Sequence, residues 1–160
     1  MKVFTWTTLA VTVFAVLCGG CKKDSSPAQN NNNTSANCNF TTDVVVVDGV
    51  SKTVVHTNAQ AIGTGYIVEF LTDNSASPTG LALAFSATPA AGDYAIQPDA
   101  TAIVAGQVYV EYYDPSTAWH GMSGTVKITA NGSQKVVTFC SQDLFASATN
   151  KKTVSVRGSF

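Results

Sequence analysis

From Phe40 to Phe160 large apolar residues alternate with small or polar ones, and turn residues interrupt the alternation about every 8–12 positions. A period of two is the period of a strand with one buried and one solvated face, and it leaves no room for an amphipathic helix. Residues 43–47 and 50–56 flank Asp48-Gly49, and residues 124–130 and 134–140 flank Asn131-Gly132. Both dipeptides accept the positive φ angles of two-residue hairpin turns. Between these hairpins the pattern predicts strands at 66–71, 81–85, 94–97 and 107–113, and after them at 144–148 and 153–160. In the 81–85 strand Leu81, Leu83 and Phe85 alternate with alanines, giving one bulky face and one small face. The loops fall at 73–80, around Pro89 and Pro98, and at 114–121. No stretch shows a 3.6-residue apolar repeat.

About nine or ten short strands with regular turns predict an all-β domain, an antiparallel β-sandwich or alternatively a small β-barrel. Composition agrees: charged residues make up 12% of the chain and apolar residues 45%, and the Val, Thr and Ala content suits pleated surfaces better than surface helices.

The first 37 residues follow other rules. Lys2 supplies a positive start, residues 3–17 carry no charge, and Leu17-Cys18-Gly19-Gly20-Cys21 follows. A charged end, an apolar stretch and small residues before the cut make residues 1–20 a secretory signal. Leu17 with Gly19-Gly20 before Cys21 resembles the lipobox of bacterial lipoproteins, with Cys18 where Leu or a small residue is usual. That resemblance implies cleavage before Cys21 and acylation of Cys21; Cys18 is the alternative acceptor, preceded by the bulkier Ala15-Val16-Leu17. An uncleaved spanning segment is the other reading, at the short edge of what crosses a bilayer. Residues 22–37, KKDSSPAQNNNNTSAN, hold no large apolar side chain and read as a solvated tether. As a random coil it reaches about 20–25 Å. The expected organisation is signal 1–20, lipidated Cys21 and tether 21–37, and one domain over 38–160. Lys22 after Cys21, in place of the aspartate that retains many enterobacterial lipoproteins at the inner membrane, implies an outer-membrane anchor facing the periplasm or the medium.

With Cys18 and Cys21 assigned to the leader and the lipid, Cys38 and Cys140 remain. Export permits oxidation, so they are the expected disulfide, two unpaired thiols being the alternative. The closing pattern, Gly124-Thr125-Val126-Lys127-Ile128-Thr129 and then Thr153-Val154-Ser155-Val156-Arg157-Gly158-Ser159-Phe160, is similar to that of small β-rich surface lipoproteins of unknown function. The resemblance implies the fold class and brings no catalytic residues.

Net charge is −1, and the nine basic residues stand singly or in pairs, so clustered cations for nucleic acid are absent. The two histidines, His56 and His120, lie at no metal-ligand spacing, and no cofactor or metal is expected. His120-Gly121-Met122-Ser123-Gly124 is not a nucleophile elbow. Glu69 and Glu111 are the only strand-borne glutamates, and with His120 they are the candidates for a glycan hydrolase. The one cluster with a binding rationale is aromatic: Tyr109, Glu111 and Tyr113 share a strand face, and Trp119 follows in the next loop. Rings beside a carboxylate stack on sugars or hold a peptide; structurally, Trp119 could instead plug one end of the sheet, while Tyr112 points to the core. The sequence thus predicts a lipid-anchored, non-catalytic envelope domain that binds a glycan or peptide through Tyr109, Glu111, Tyr113 and Trp119. The alternatives are an assembly subunit that meets other envelope proteins through a sheet edge and, as the weaker one, the hydrolase.

Overall fold

The computed structural model describes residues 38–160; the expected signal, the expected lipidated Cys21 and the expected tether lie outside the described residues. The domain is all-β, with eleven strands: β1 Val44–Val47, β2 Val50–Thr53, β3 His56–Ile62, β4 Gly65–Leu71, β5 Gly80–Phe85, β6 Gly92–Ile96, β7 Gln107–Asp114, β8 Thr117–Gly121, β9 Thr125–Asn131, β10 Gln134–Phe145 and β11 Lys151–Ser159. They form one hydrogen-bonded sheet, ordered β2-β1-β11-β10-β9-β6-β7-β5-β4-β3, with β8 pairing β7 and β10 off that path. Two leaves result. One runs β3-β4-β5-β7 and the other β10-β11-β1-β2, and the β6/β9 pair and β8 bridge them at opposite ends of β7. This closes β7, β8, β10, β9 and β6 into a ring while β2 and β3 remain edges, an arrangement between a sandwich and a barrel.

The leaves face each other across one core. Val68 and Phe70 of β4, Leu81 and Leu83 of β5, and Val108 and Val110 of β7 are fully buried, as are Val45 of β1, Val137 of β10 and Val154 and Val156 of β11. Each lies one residue out of two along its strand, the consequence of a pleat with a single dry face. The closest approach is at Gly158 of β11. A Cβ built there would meet Cε1 of Phe70 at 2.4 Å, so the ring rests directly on the opposite backbone.

The 50–56 segment is broken, β2 ending at Thr53 and His56 opening β3, and the second hairpin turns at Gly132-Ser133 rather than Asn131-Gly132. Four larger departures from the sequence reading each have a local cause. The first is β3, which has no apolar alternation because it is an exposed edge: of His56–Ile62 only Thr57 and Asn58 are half-buried. The second is residues 114–121, read as a loop; Thr117–Gly121 is a strand, hairpinned onto β7 by Pro115-Ser116. Asp114 fastens that turn by accepting from the Ser116 and Thr117 amides at 2.9 and 3.0 Å and from the Ser116 hydroxyl. Third, the two strands expected at 134–140 and 144–148 are one strand, β10, with a bulge between Phe139 and Gln142 where Ser141 takes a φ of 50°. The bulge turns the first part of β10 toward β9 and the last part toward β8. Finally, the sheet is mixed rather than wholly antiparallel, because residues 97–106 carry the chain over so that β6 and β7 run parallel.

Asp48-Gly49 behaves as expected, with φ angles of 50° and 81° and paired Val47 and Val50 on either side. Cys38 and Cys140 form a disulfide across 102 residues, with Cα atoms 5.9 Å apart, tying the start of the described chain to the β10 bulge. Arg157, ion-paired to Asp43, adds a second clasp beside it, and Asp43 also accepts from the Ser159 amide at 3.1 Å.

Candidate functional site

The outward face of the β3-β4-β5-β7 leaf, continued by β8, gathers most of the chemistry that the sequence singled out. Register fixes which residues share it. Asn58 pairs with Glu69, Glu69 with Ala82, Ala82 with Glu111, and Glu111 with His120, so one row crosses five strands. The row on one side holds Gln60, Ile67, Ala84 and Tyr109; the row on the other holds His56, Leu71, Gly80, Tyr113 and Ala118. The middle strand contributes only Gly80, Ala82 and Ala84, because its bulky residues Leu81, Leu83 and Phe85 all point into the core. A strand stripped to small side chains between two bearing long ones makes a shallow trough, with Ile67, Glu69 and Leu71 on one bank and Tyr109, Glu111 and Tyr113 on the other.

The two glutamates have neutral or titratable companions. Glu69 accepts from Asn58 Nδ2 at 3.1 Å. Glu111 accepts from the Tyr109 hydroxyl at 2.9 Å and lies 3.2 Å from His120 Nδ1, which also contacts the Tyr109 hydroxyl. The Tyr109 and His120 rings sit 5.6 Å apart, tilted by 32°. This trio leans over β7 and β8. Tyr113 leans the other way: a Cβ on Gly80 would lie 2.9 Å from its hydroxyl and 3.0 Å from Leu71 Cδ2, so the tyrosine reaches across β5 and closes one end of the trough.

Burial, then the charges of Glu69, Glu111 and Asp73, push the Tyr113 phenol up to about 12. Both glutamates are therefore felt at one hydroxyl. Burial likewise raises Tyr109, helped by its hydrogen bond to Glu111 and by that carboxylate's charge. Neither group ionises near neutrality. The Glu111 and His120 side chains keep 28% and 38% of their exposure, enough for a ligand to touch them.

Trp119 is placed elsewhere. It pairs with Tyr112 on the core face of the β7–β8 hairpin, 5% exposed, with the two rings 5.7 Å apart. Its indole N–H donates to Asn150 Oδ1 at 2.9 Å and Lys152 Nζ stands 4.8 Å over the ring, so it plugs one end of the core. The structure therefore brings together Tyr109, Glu111 and Tyr113 and separates Trp119 from them. It adds His120, Glu69 and Asn58, which sequence reasoning either assigned to other chemistry or passed over. The small face of β5 was visible in the alternation at 80–85; the place of His120 was hidden by reading β8 as a loop. His56 is exposed at the start of β3. Among the described residues no group of three or more His, Cys, Asp and Glu could hold a metal ion.

No protein-family model, no curated protein and no solved structure matches this chain.

Proposed function

We propose that this chain is a lipid-anchored protein of the bacterial cell envelope whose β domain binds a glycan, without catalysis, in the trough over β5. The observation that carries the reading is the row Glu69–Ala82–Glu111, with Tyr113 laid over Gly80 beside it. Sugar rings are flat on their C–H faces and rimmed by hydroxyls. A groove with a small-residue floor, an aromatic side chain at one end and carboxylate acceptors on both banks offers a surface for each. Anchorage through Cys21 rests on the lipobox-like Leu17-Cys18-Gly19-Gly20-Cys21 and the outer membrane on Lys22 after it, and the disulfide, a bond stable in oxidising compartments, supports an extracytoplasmic setting.

The test is a glycan array and a peptidoglycan pull-down with the parent and with Ala82→Phe. Ala82 points outward, so the larger ring fills the trough without entering the core. The parent is expected to bind at least one glycan class and the variant to lose it; equal binding by both would end the proposal. Mass spectrometry of the amino-terminal peptide tests the anchor, with an acylated Cys21 at the terminus as the expected result.

A second reading, glycan hydrolysis, has one observation in its favour. Glu69 and Glu111 both flank Ala82, so their Cα atoms stand two strand spacings apart, about 9–10 Å. Glu69 leans to Asn58 on β3 and Glu111 to His120 on β8, so the separation of about 6.5–9.5 Å that inverting glycosidases hold between two carboxyl groups requires both side chains to swing back over Ala82. Release of reducing ends from a bound glycan, abolished by Glu69→Gln, would favour this reading over simple binding.

A further inference from the structure

The charges of the domain are segregated. Among the described residues the cations are Lys52 on β2, Lys127 on β9, Lys135 on β10, and Lys151, Lys152 and Arg157 on β11. None lies on β3, β4, β5, β7 or β8, the strands that build the trough. Three of the cations are matched by acids on their own side: Lys151 pairs with Asp143, Lys152 with Asp48 and Arg157 with Asp43. Lys127 stands opposite Asp93 in the β6/β9 register. Other acids near the trough leaf are occupied by their own turns, Asp73 accepting from Ser75 and Thr79 and Asp114 from Ser116 and Thr117. Glu69 and Glu111 differ from all of these. Their hydrogen-bond donors are an amide and a phenol, with His120 beside Glu111, so among the described residues no permanent cation offsets either carboxylate.

We propose, building on the glycan reading, that the trough selects saccharides bearing free amino groups, that is, hexosamine units that are not N-acetylated. Two half-exposed carboxylates on opposite banks attract an ammonium group and repel a uronate or a phosphorylated sugar. An ammonium that reaches either carboxylate makes a charge-assisted hydrogen bond, stronger than the neutral one a hydroxyl or an acetamide N–H makes there. The Tyr113 ring, two residues along β7 from Glu111 and laid over Gly80, adds a π face on which an ammonium is favoured and an acetamide is not. Acetylation of the amine removes the charge and both gains together. The recognition is electrostatic at a partly wetted surface, so it weakens as salt is raised.

The experiment uses the full chain in detergent and isothermal titration with two probes, a β-1,4-linked glucosamine hexamer and its fully N-acetylated counterpart. The glucosamine hexamer is expected to bind at least tenfold more tightly at low salt, and the preference to fall to within about threefold in Glu69→Gln and in Glu111→Gln. Retention of the parent's thermal midpoint by both variants shows that the loss is local. Equal affinity for the two hexamers overturns the amine preference and leaves the glycan reading standing. Failure of either hexamer and of every arrayed glycan to bind overturns both. Binding of tri-lysine with no binding of the hexamers also overturns the proposal, since the carboxylates would then serve a basic peptide.

Discussion

Gly158→Ala tests the face-to-face packing of the two leaves with a single methyl group. The new Cβ would sit 2.4, 2.5 and 2.7 Å from Cε1, Cζ and Cδ1 of Phe70, a side chain with no exposed surface. Carbon–carbon contacts relax only at about 3.5–4.0 Å, so ring and backbone must part by about 1 Å, which a close-packed interior resists. Overpacking of this kind costs about 1–3 kcal/mol, and three simultaneous overlaps with a rigid ring place the expected cost near the upper end, about 3 kcal/mol. Phe70→Leu removes part of the obstructing ring and by itself leaves a cavity. In the double variant the alanine methyl enters the space the ring vacated, so the two costs should fall short of additivity by at least about 1.5 kcal/mol. Urea unfolding of the four proteins measures this. With a slope of about 1.5–2 kcal/mol per molar, Gly158→Ala alone should lower the midpoint by about 1.5–2 M. Additive costs, or a Gly158→Ala midpoint within about 0.2 M of the parent's, would refute the contact and with it the apposition of β4 and β11.

Three further predictions follow from other parts of the molecule. Replacing Cys38 and Cys140 by serine opens a loop of 102 residues, for which the chain-entropy account gives up to about 4.7 kcal/mol; a fall in the urea midpoint that reducing agent reproduces in the parent and not in the variant is the expected result. Trp119→Ala should cost about 3–5 kcal/mol, as a buried aromatic plug does, yet leave glycan affinity per folded molecule unchanged, as titration at a temperature where the variant is folded will show. In an ultraviolet pH titration one tyrosine should ionise at about 12 and disappear from the curve in Tyr113→Phe. Because folding holds that phenol protonated, its contribution to stability is intact below the unfolded value of about 10 and is lost as pH rises toward 12.

The alternation and the Asp48-Gly49 turn carried the fold class, since period two with hairpin punctuation has few other solutions; the second hairpin turns one residue later than the pattern predicts, at Gly132-Ser133, with Asn131 paired to Gln134. What escaped the sequence had physical reasons. An edge strand such as β3 faces water on too many sides to need an apolar stripe, so its sequence, HTNAQAI, carries none. Pro115-Ser116 is not a dipeptide that favours the usual two-residue hairpin geometry, and the Asp114 carboxylate that makes it work acts through hydrogen bonds no periodicity displays. The bulge at Ser141 lets one strand serve two neighbours, which from sequence reads as two strands.

The candidate site was half legible for the same reason. Tyr109, Glu111 and Tyr113 share a face because two-residue spacing on one strand requires it. Glu69, Asn58 and His120 join them only through cross-strand register, Glu69 across β5, Asn58 through β3 and His120 through β8. Trp119 was grouped with the tyrosines because it follows them in the chain; pairing with Tyr112 instead of Tyr113 turns it to the opposite side of the sheet.

Amide and methyl chemical-shift mapping during titration with the glucosamine hexamer asks the central question directly. The account predicts shifts concentrated at Ile67, Glu69, Ala82, Ala84, Tyr109, Glu111, Tyr113 and His120, with the β1 and β11 signals of Val46 and Ser155 unmoved. Shifts centred on β1, β11 or the Trp119 end of the core, or none at saturating hexamer, would contradict it.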